Sequence, residues 1–356
     1  MRAILVVVRA ILLGGARTAV ILACAQTVLL GAAWLAPIGL TGCAQQEARG
    51  RAARELEQLE RLAFVPPANC RRPTRRDSLL VDCSHERPLL VARFEVTRSE
   101  WEEWRASLPP GRAVPPSPEA AGGEGNGTRL EARLPASYMT FHEAAEYAAW
   151  RGMRLPTARE WFRIASGTRG RRWPWGDFAK ASAANTLELG LEGPSPVGAF
   201  ELGRSPLGVY DLIGNVAEWV AGEWETRDPQ TDPRPGVEPA SIVDGGDELT
   251  WALGGSSLTR ARWLIVANDR ENAQLLHRDH RAIDVGLRLV VDARTHLSRA
   301  ATRLAVGALP ERRLLAIGRT WGRDAAAWLA RLAEETTAPG ERAVLAALAK
   351  GAQEGP

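Results

Sequence analysis

Few side chains of this 356-residue chain are spaced for chemistry. No serine stands in a GxSxG context, which removes the usual hydrolase nucleophile. His277, Arg278, Asp279 and His280 spell a kinase-like HRD, but no Gly-rich nucleotide loop precedes it and no Asp-Phe-Gly follows. His277 and His280 could approach each other on a helix, yet no third metal ligand stands nearby, so they read as exposed polar residues. The four cysteines are Cys24, Cys43, Cys70 and Cys83, and no thiol follows Cys83. One glycine-containing stretch carries two carboxylates. Asp211 and Glu218 flank Gly214-Asn215 inside Gly208 to Trp219, GVYDLIGNVAEW. Two carboxylates with carbonyls and water on a tight turn meet the demand of calcium for six to eight oxygens at ~2.3–2.6 Å. They could equally hydrogen-bond the turn without metal.

The elements that must position that turn are mostly short. Glu47 to Phe64 is charged, alanine-rich and periodic in Leu56, Leu59 and Leu62, which predicts a spacer helix ended by Pro66 and Pro67. From Leu89, LLVARFEVTRSEW predicts a strand leading into a helix capped by Thr97 or Ser99. Pro109 to Gly127 reads as an exposed insertion. Thr140 with Glu143, and Thr157 with Glu160, form capping boxes for two more helices. The first has Ala144, Ala145, Tyr147, Ala148 and Trp150 on its apolar side and ends at Gly152. Arg154, Pro156, Thr157, Glu160 and Trp161 have a structural role on this reading. Leu297 to Leu348 predicts amphipathic helices broken near Pro310 and Pro339 and packed on their own domain. Thirteen tryptophans, eight of them between Trp150 and Trp263, supply core area to a loop-rich domain.

Four strings in order, Arg154 to Trp161 (RLPTAREW), Trp173 to Asp177 (WPWGD), Gly208 to Trp219 and a late Gly-Gly-Ser, resemble the formylglycine-generating enzyme family, also called the sulfatase-modifying factor domain. The resemblance runs from about Leu89 to about Asp292, where DVGLRLVV, with Gly286 and Arg288, resembles the family's closing strand. It implies an irregular α+β fold, a distant variant of the C-type lectin fold. It implies calcium on side-chain oxygens of Asp211 and Glu218 and carbonyls of Gly214 and Val216. For a second calcium site only Asn185 matches, and the acidic loop between Leu187 and Pro196 is missing, so that site is expected to be vacant. Active members carry two cysteines shortly after Gly-Gly-Ser. Here the stretch Gly254 to Leu264 reads GGSSLTRARWL, with Thr259 and Leu264 at the matching positions. No copper binding is expected. The HxxxHxE motif of the related iron-dependent sulfoxide synthases does not occur.

Residues 1–42 hold Arg2, Arg9 and Arg17 and no acid, with no charge from Thr18 to Gln46, as in a secretory signal. Leu40-Thr41-Gly42-Cys43 resembles a bacterial lipobox, which implies a lipid-anchored Cys43 at the cell envelope; an uncleaved membrane helix is the alternative. Cys70 and Cys83 then read as one disulfide in an oxidising compartment, the competing redox or metal pair lacking a CxxC spacing. After residue 42 the chain carries 42 basic and 42 acidic side chains, so no electrostatic case for nucleic acid exists. The expected organisation is 1–42 signal peptide, 43–87 anchor and spacer, 88–292 domain and 293–356 helical extension. The expected function is a binding or scaffold module for an envelope protein or small ligand; the alternative is an enzyme with thiol-independent oxidative chemistry.

Overall fold

The computed structural model of the chain describes residues 36–67, 87–112, 130–167, 170–191, 193–222, 248–261, 264, 273–306 and 310–355, with side chains from residue 46 onward. The expected signal up to residue 35, the side chain of Cys43, the Cys70–Cys83 pairing and most of the insertion lie outside the described residues.

Helix α1 (Ala36–Glu60) stops before the expected Phe64, because LAFV continues as strand β1 (Leu62–Val65). β1 pairs antiparallel with β2 (Leu89–Ala92), Leu62 opposite Ala92, and β2 pairs with β7 (Val290–Asp292). β1 and β2 are buried on both faces, which is what a short unbroken apolar run requires. Leu62, Phe64 and Leu90 join one core cluster, and Ala63, Val65, Leu89 and Val91 join the other. The expected spacer is therefore corrected. Leu56 and Leu59 are buried, and the packed fold begins within α1 rather than at residue 88.

Helices α2 (Arg98–Ser107), α3 (Phe141–Trp150) and α4 (Ala158–Ser166) each open with a reciprocal capping box, Thr97 with Glu100, Thr140 with Glu143 and Thr157 with Glu160. Each box satisfies amide donors that a helix start leaves free. Gly152 follows α3 in the left-handed region, φ 69°. Trp150, expected on the apolar side, is instead 43 % exposed at the last helical position, with Arg151 over its ring. A second sheet has the order β5 (Ala273–His277), β4 (Leu249–Leu253), β3 (Ala217–Val220), β6 (Val285–Gly286), with β3 and β6 parallel.

The C-terminal helices α5 (Ala293–Leu304), α6 (Glu311–Trp321), α7 (Arg323–Glu335) and α8 (Pro339–Glu354) pack on their own domain. Phe64 of β1 meets Trp321 and Trp328 with ring centroids 6.3 and 5.5 Å apart, and Trp321 Nε1 donates to Leu62 O at 2.9 Å. Pro310 and Pro339 start α6 and α8 as expected, whereas the break at Gly322, φ 75°, has no proline to mark it. The architecture is α+β with little regular sheet and a helical C-terminal region. Helices α6 and α8 cross closely: a Cβ added to Gly318 would stand 2.2 Å from Leu348 O, and one added to Gly351 would stand 2.2 Å from Leu315 O. Gly351→Ala is expected to force the helices apart and to lower stability in urea unfolding by about 1–3 kcal/mol.

Candidate functional site

The chain turns through Gly208–Asn215 with positive φ at Gly208, Asp211, Gly214 and Asn215 (77°, 55°, 78° and 61°). Asp and Asn enter this region at lower cost than most residues because their short polar side chains bond locally. At Gly214 space decides as well, since a Cβ would stand 2.1 Å from Asn185 O.

Asn215 is the hub of the turn. Its Oδ1 accepts from Ser195 N at 2.8 Å, and its Nδ2 donates to Glu95 Oε2 at 2.6 Å. Val216 N donates to the other Glu95 oxygen at 3.2 Å. The Asn215 main chain donates to Asn185 O and accepts from Ser257 N, which ties in the loop after β4. Asn185, the one residue matching a second calcium site, braces the turn: its Nδ2 donates to Gly193 O at 2.9 Å and Asn215 Oδ1 at 3.3 Å.

Two residues further on, Glu218 enters β3 with its carboxylate fully buried. It accepts from Arg288 Nη2 at 2.6 Å, Arg288 Nε at 2.9 and 3.1 Å, and Trp161 Nε1 at 2.7 Å. Arg288, equally buried, also donates to Ala92 O and Tyr210 O at 3.0 and 2.8 Å. Asp211 is nearly buried and accepts from Gly198 N at 2.6 Å. Burial pushes the Glu95 carboxyl well above the usual carboxylate range, and the charges of Asp211 and Glu218 push the same way. Burial also pushes Asp211 up to about 6, with the Gly198 amide and Arg288 pulling back.

Of the four residues expected to bind calcium, Asp211 and Gly214 lie in the turn, Val216 follows it and Glu218 lies in β3, where its carboxylate faces a cation, Arg288. Among the described residues no group of three or more His, Cys, Asp or Glu side chains is disposed to hold a metal. Thr259 Oγ1 accepts from Ser256 N at 3.0 Å, and buried Leu264 lies against Gly255, where a Cβ would come within 2.3 Å of a leucine methyl. A hydrogen-bonded hydroxyl and a packed aliphatic side chain therefore stand at the two positions that the family resemblance assigns to thiols. Glu160 accepts from both Arg154 Nη atoms at 2.6 Å and closes its capping box, in keeping with a structural role. His277 and His280 are exposed. A cavity of about 40 Å³, lined by Gln58, Arg61, Glu95, Glu100, Tyr147 and Arg151 among others, has room for only a few waters.

Sequence reasoning missed Glu95 and the Glu218–Arg288 pair. The signal for Glu95 is a lone acid between Phe94 and Val96 at the end of an apolar strand, a position where a charge needs buried partners.

Residues 57–293 match the sulfatase-modifying factor enzyme 1-like domain family. The chain is similar to the inactive C-alpha-formylglycine-generating enzyme 2 of Mus musculus, 35 % identical over 151 residues, which cover 39 % of this chain and 46 % of that protein. It is similar to the hercynine oxygenase of Mycolicibacterium thermoresistibile, 42 % identical over 92 residues, 24 % of this chain and 20 % of that protein. It is also similar to the formylglycine-generating enzyme of Thermomonospora curvata, 33 % identical over 150 residues, 35 % of this chain and 49 % of that protein. In each case the match spans less than half of the curated relative. Among solved structures, PvdO from Pseudomonas aeruginosa aligns with TM-score 0.45 and 22 % identity, covering 64 % of this chain and 89 % of that chain. The match over residues 57–293 is more than half of the chain, which belongs to the sulfatase-modifying factor enzyme 1-like domain family.

The hub generates a contrast that urea unfolding measures. Asn215→Ala leaves Glu95 and Ser195 N short of buried partners and is expected to cost about 2–4 kcal/mol, whereas Thr259→Ala, losing two partly buried contacts to Ser256, is expected to cost about 0.5–1.5 kcal/mol.

Proposed function

We propose that this sulfatase-modifying factor domain is an exported, lipid-anchored binding or scaffold module of the bacterial cell envelope, and that it does not oxidise cysteine to formylglycine. The carrying observation is the pair of positions that the family resemblance assigns to catalytic thiols. Thr259 there is hydrogen-bonded to Ser256, and Leu264 is packed on Gly255. Copper(I) selects soft thiolate ligands, and neither a hydroxyl nor an aliphatic side chain replaces them. No cysteine follows Cys83 anywhere in the chain. Binding is supported by the surface around the same positions. Leu258, next to Thr259, and Leu187, whose amide donates to Thr259 O, are 47 % and 45 % exposed. Two exposed leucines beside a loop suit a partner with an apolar contact, an envelope protein or a small ligand.

A second reading, an enzyme with thiol-independent oxidative chemistry, is favoured by the similarity to hercynine oxygenase. It needs ionisable groups converging in an open cleft. Among the described residues the ionisable groups at the family turn are buried against one another, which favours the binding reading.

Anchoring is proposed through Cys43 because Leu40-Thr41-Gly42-Cys43 resembles a lipobox and follows an uncharged run that begins at Thr18. Two or more acyl chains give the stable attachment that one chain does not. Cys43→Ala is expected to leave the precursor uncleaved or to release it from the detergent fraction, and intact-mass spectrometry should find a mature N-terminus at Cys43; any other mature terminus rejects the anchor. For the absence of oxidase activity, the purified protein is incubated with copper, oxygen and a peptide carrying CxPxR, the motif that the family resemblance implies as substrate. No aldehyde above the enzyme-free control is expected, and measurable turnover would overturn the binding-module reading.

A further inference from the structure

We infer that the Gly208–Trp219 turn holds no calcium in this chain: the Glu218 carboxylate is occupied by the Arg288 guanidinium and the Trp161 indole, and the fold stands without the ion. The inference concerns what stabilises the turn and does not depend on the envelope function.

Calcium needs six to eight oxygens at ~2.3–2.6 Å. The family resemblance offers four from the protein, the side chains of Asp211 and Glu218 and the carbonyls of Gly214 and Val216. In the structure both Glu218 oxygens face Arg288 at 2.6 to 3.1 Å, and Oε2 also accepts from Trp161. Removing Glu218 from the set leaves Asp211 and two carbonyls, and one Asp211 oxygen is already bonded to Gly198 N. That leaves three protein oxygens, at most half of the six to eight ligands that calcium requires.

Arg288 has nowhere else to go. Its remaining contacts are main-chain oxygens on two separate segments, Ala92 O and Tyr210 O, and its side chain has no exposure to water. A metal ion entering beside Glu218 would have to share the carboxylate with a like charge inside the protein, where such repulsion is poorly screened. The planar guanidinium does what a metal would do at this point. It neutralises buried carboxylate, and through directed N–H bonds it joins the end of β2, the turn and β3.

The full chain tests this in two measurements. Elemental analysis of purified protein, equilibrated with calcium and then passed through gel filtration, is expected to find no stoichiometric calcium. Melting in EDTA and in millimolar calcium at equal ionic strength, with magnesium as control, is expected to give the same Tm. A specific site at about a hundredfold its Kd would shift a domain of this size by several degrees. One retained equivalent, or a fall of that size on chelation, overturns the inference. Arg288→Met, which leaves the buried carboxylates without their counter-ion, is expected to melt lower and to gain a stabilising response to calcium. A folded Arg288→Met protein that stays indifferent to calcium would show that the guanidinium is not what excludes the ion. Where that variant does not fold, the wild-type stoichiometry and Tm pair decide alone.

Discussion

A guanidinium and a carboxylate with essentially no exposure to water meet at 2.6 Å between β3 and the segment joining β6 to β7, and the surrounding loops are arranged to keep them paired. Losing either partner of such a pair costs about 3–5 kcal/mol, because the survivor is a buried charge, while an apolar pair of equal volume could be as stable. The ion pair therefore constrains geometry more than it adds net stability. Arg288 satisfies its donors only when Ala92, Tyr210 and Glu218 are all in register, and Glu218 satisfies its acceptors only when Trp161 of α4 is also in place. Helix, strand ends and turn are thereby fixed relative to one another in a domain whose sheets are too small to do so.

Asn215 does the same for the loops. Its amide reaches Glu95 on one side and Ser195 on the other, and its carbonyl holds the loop after β4 on which Thr259 sits. These bonds hold the loop in place with Thr259 and Leu264 in it. The loop is held by main-chain bonds from Ser257 and Leu187 and by Gly255 lying against Leu264, and none of these requires a cysteine.

What was legible in the sequence is local. The boxes at Thr140–Glu143 and Thr157–Glu160 have both partners within three residues, and the structure contains both. The prolines at 310 and 339 act on their own backbone, and they start helices as read. What was not legible is pairing across distance. Glu218 and Arg288 are 70 residues apart, Glu95 and Asn215 are 120 apart, and no spacing rule connects them. β1 was read as helix because Leu62 continues the spacing of Leu56 and Leu59. A strand in LAFV depends on β2, which lies beyond an intervening segment. Trp150 fits the helical period, but period alone does not say where coverage of a helix face ends.

The reassignment of α1 changes what an anchor at Cys43 would do. A free spacer would let the domain sample many orientations above the bilayer. Here the C-terminal half of α1 is packed: Leu56 and Leu59 are in the core, Glu55 pairs with Arg303 of α5 at 2.8 Å, and Glu60 pairs with Arg313 of α6 at 2.8 Å. The helix is continuous from Ala36 to Glu60, so Cys43 and Leu56 are joined by helix rising ~1.5 Å per residue, roughly 20 Å in all. With the lipid attached at Cys43, the domain would stand off from the membrane on a short rigid post set into its core by the C-terminal helices. Those helices then have a mechanical role. By covering the C-terminal half of α1 they make that segment part of the fold, and an anchor at Cys43 would then limit the orientations open to the domain.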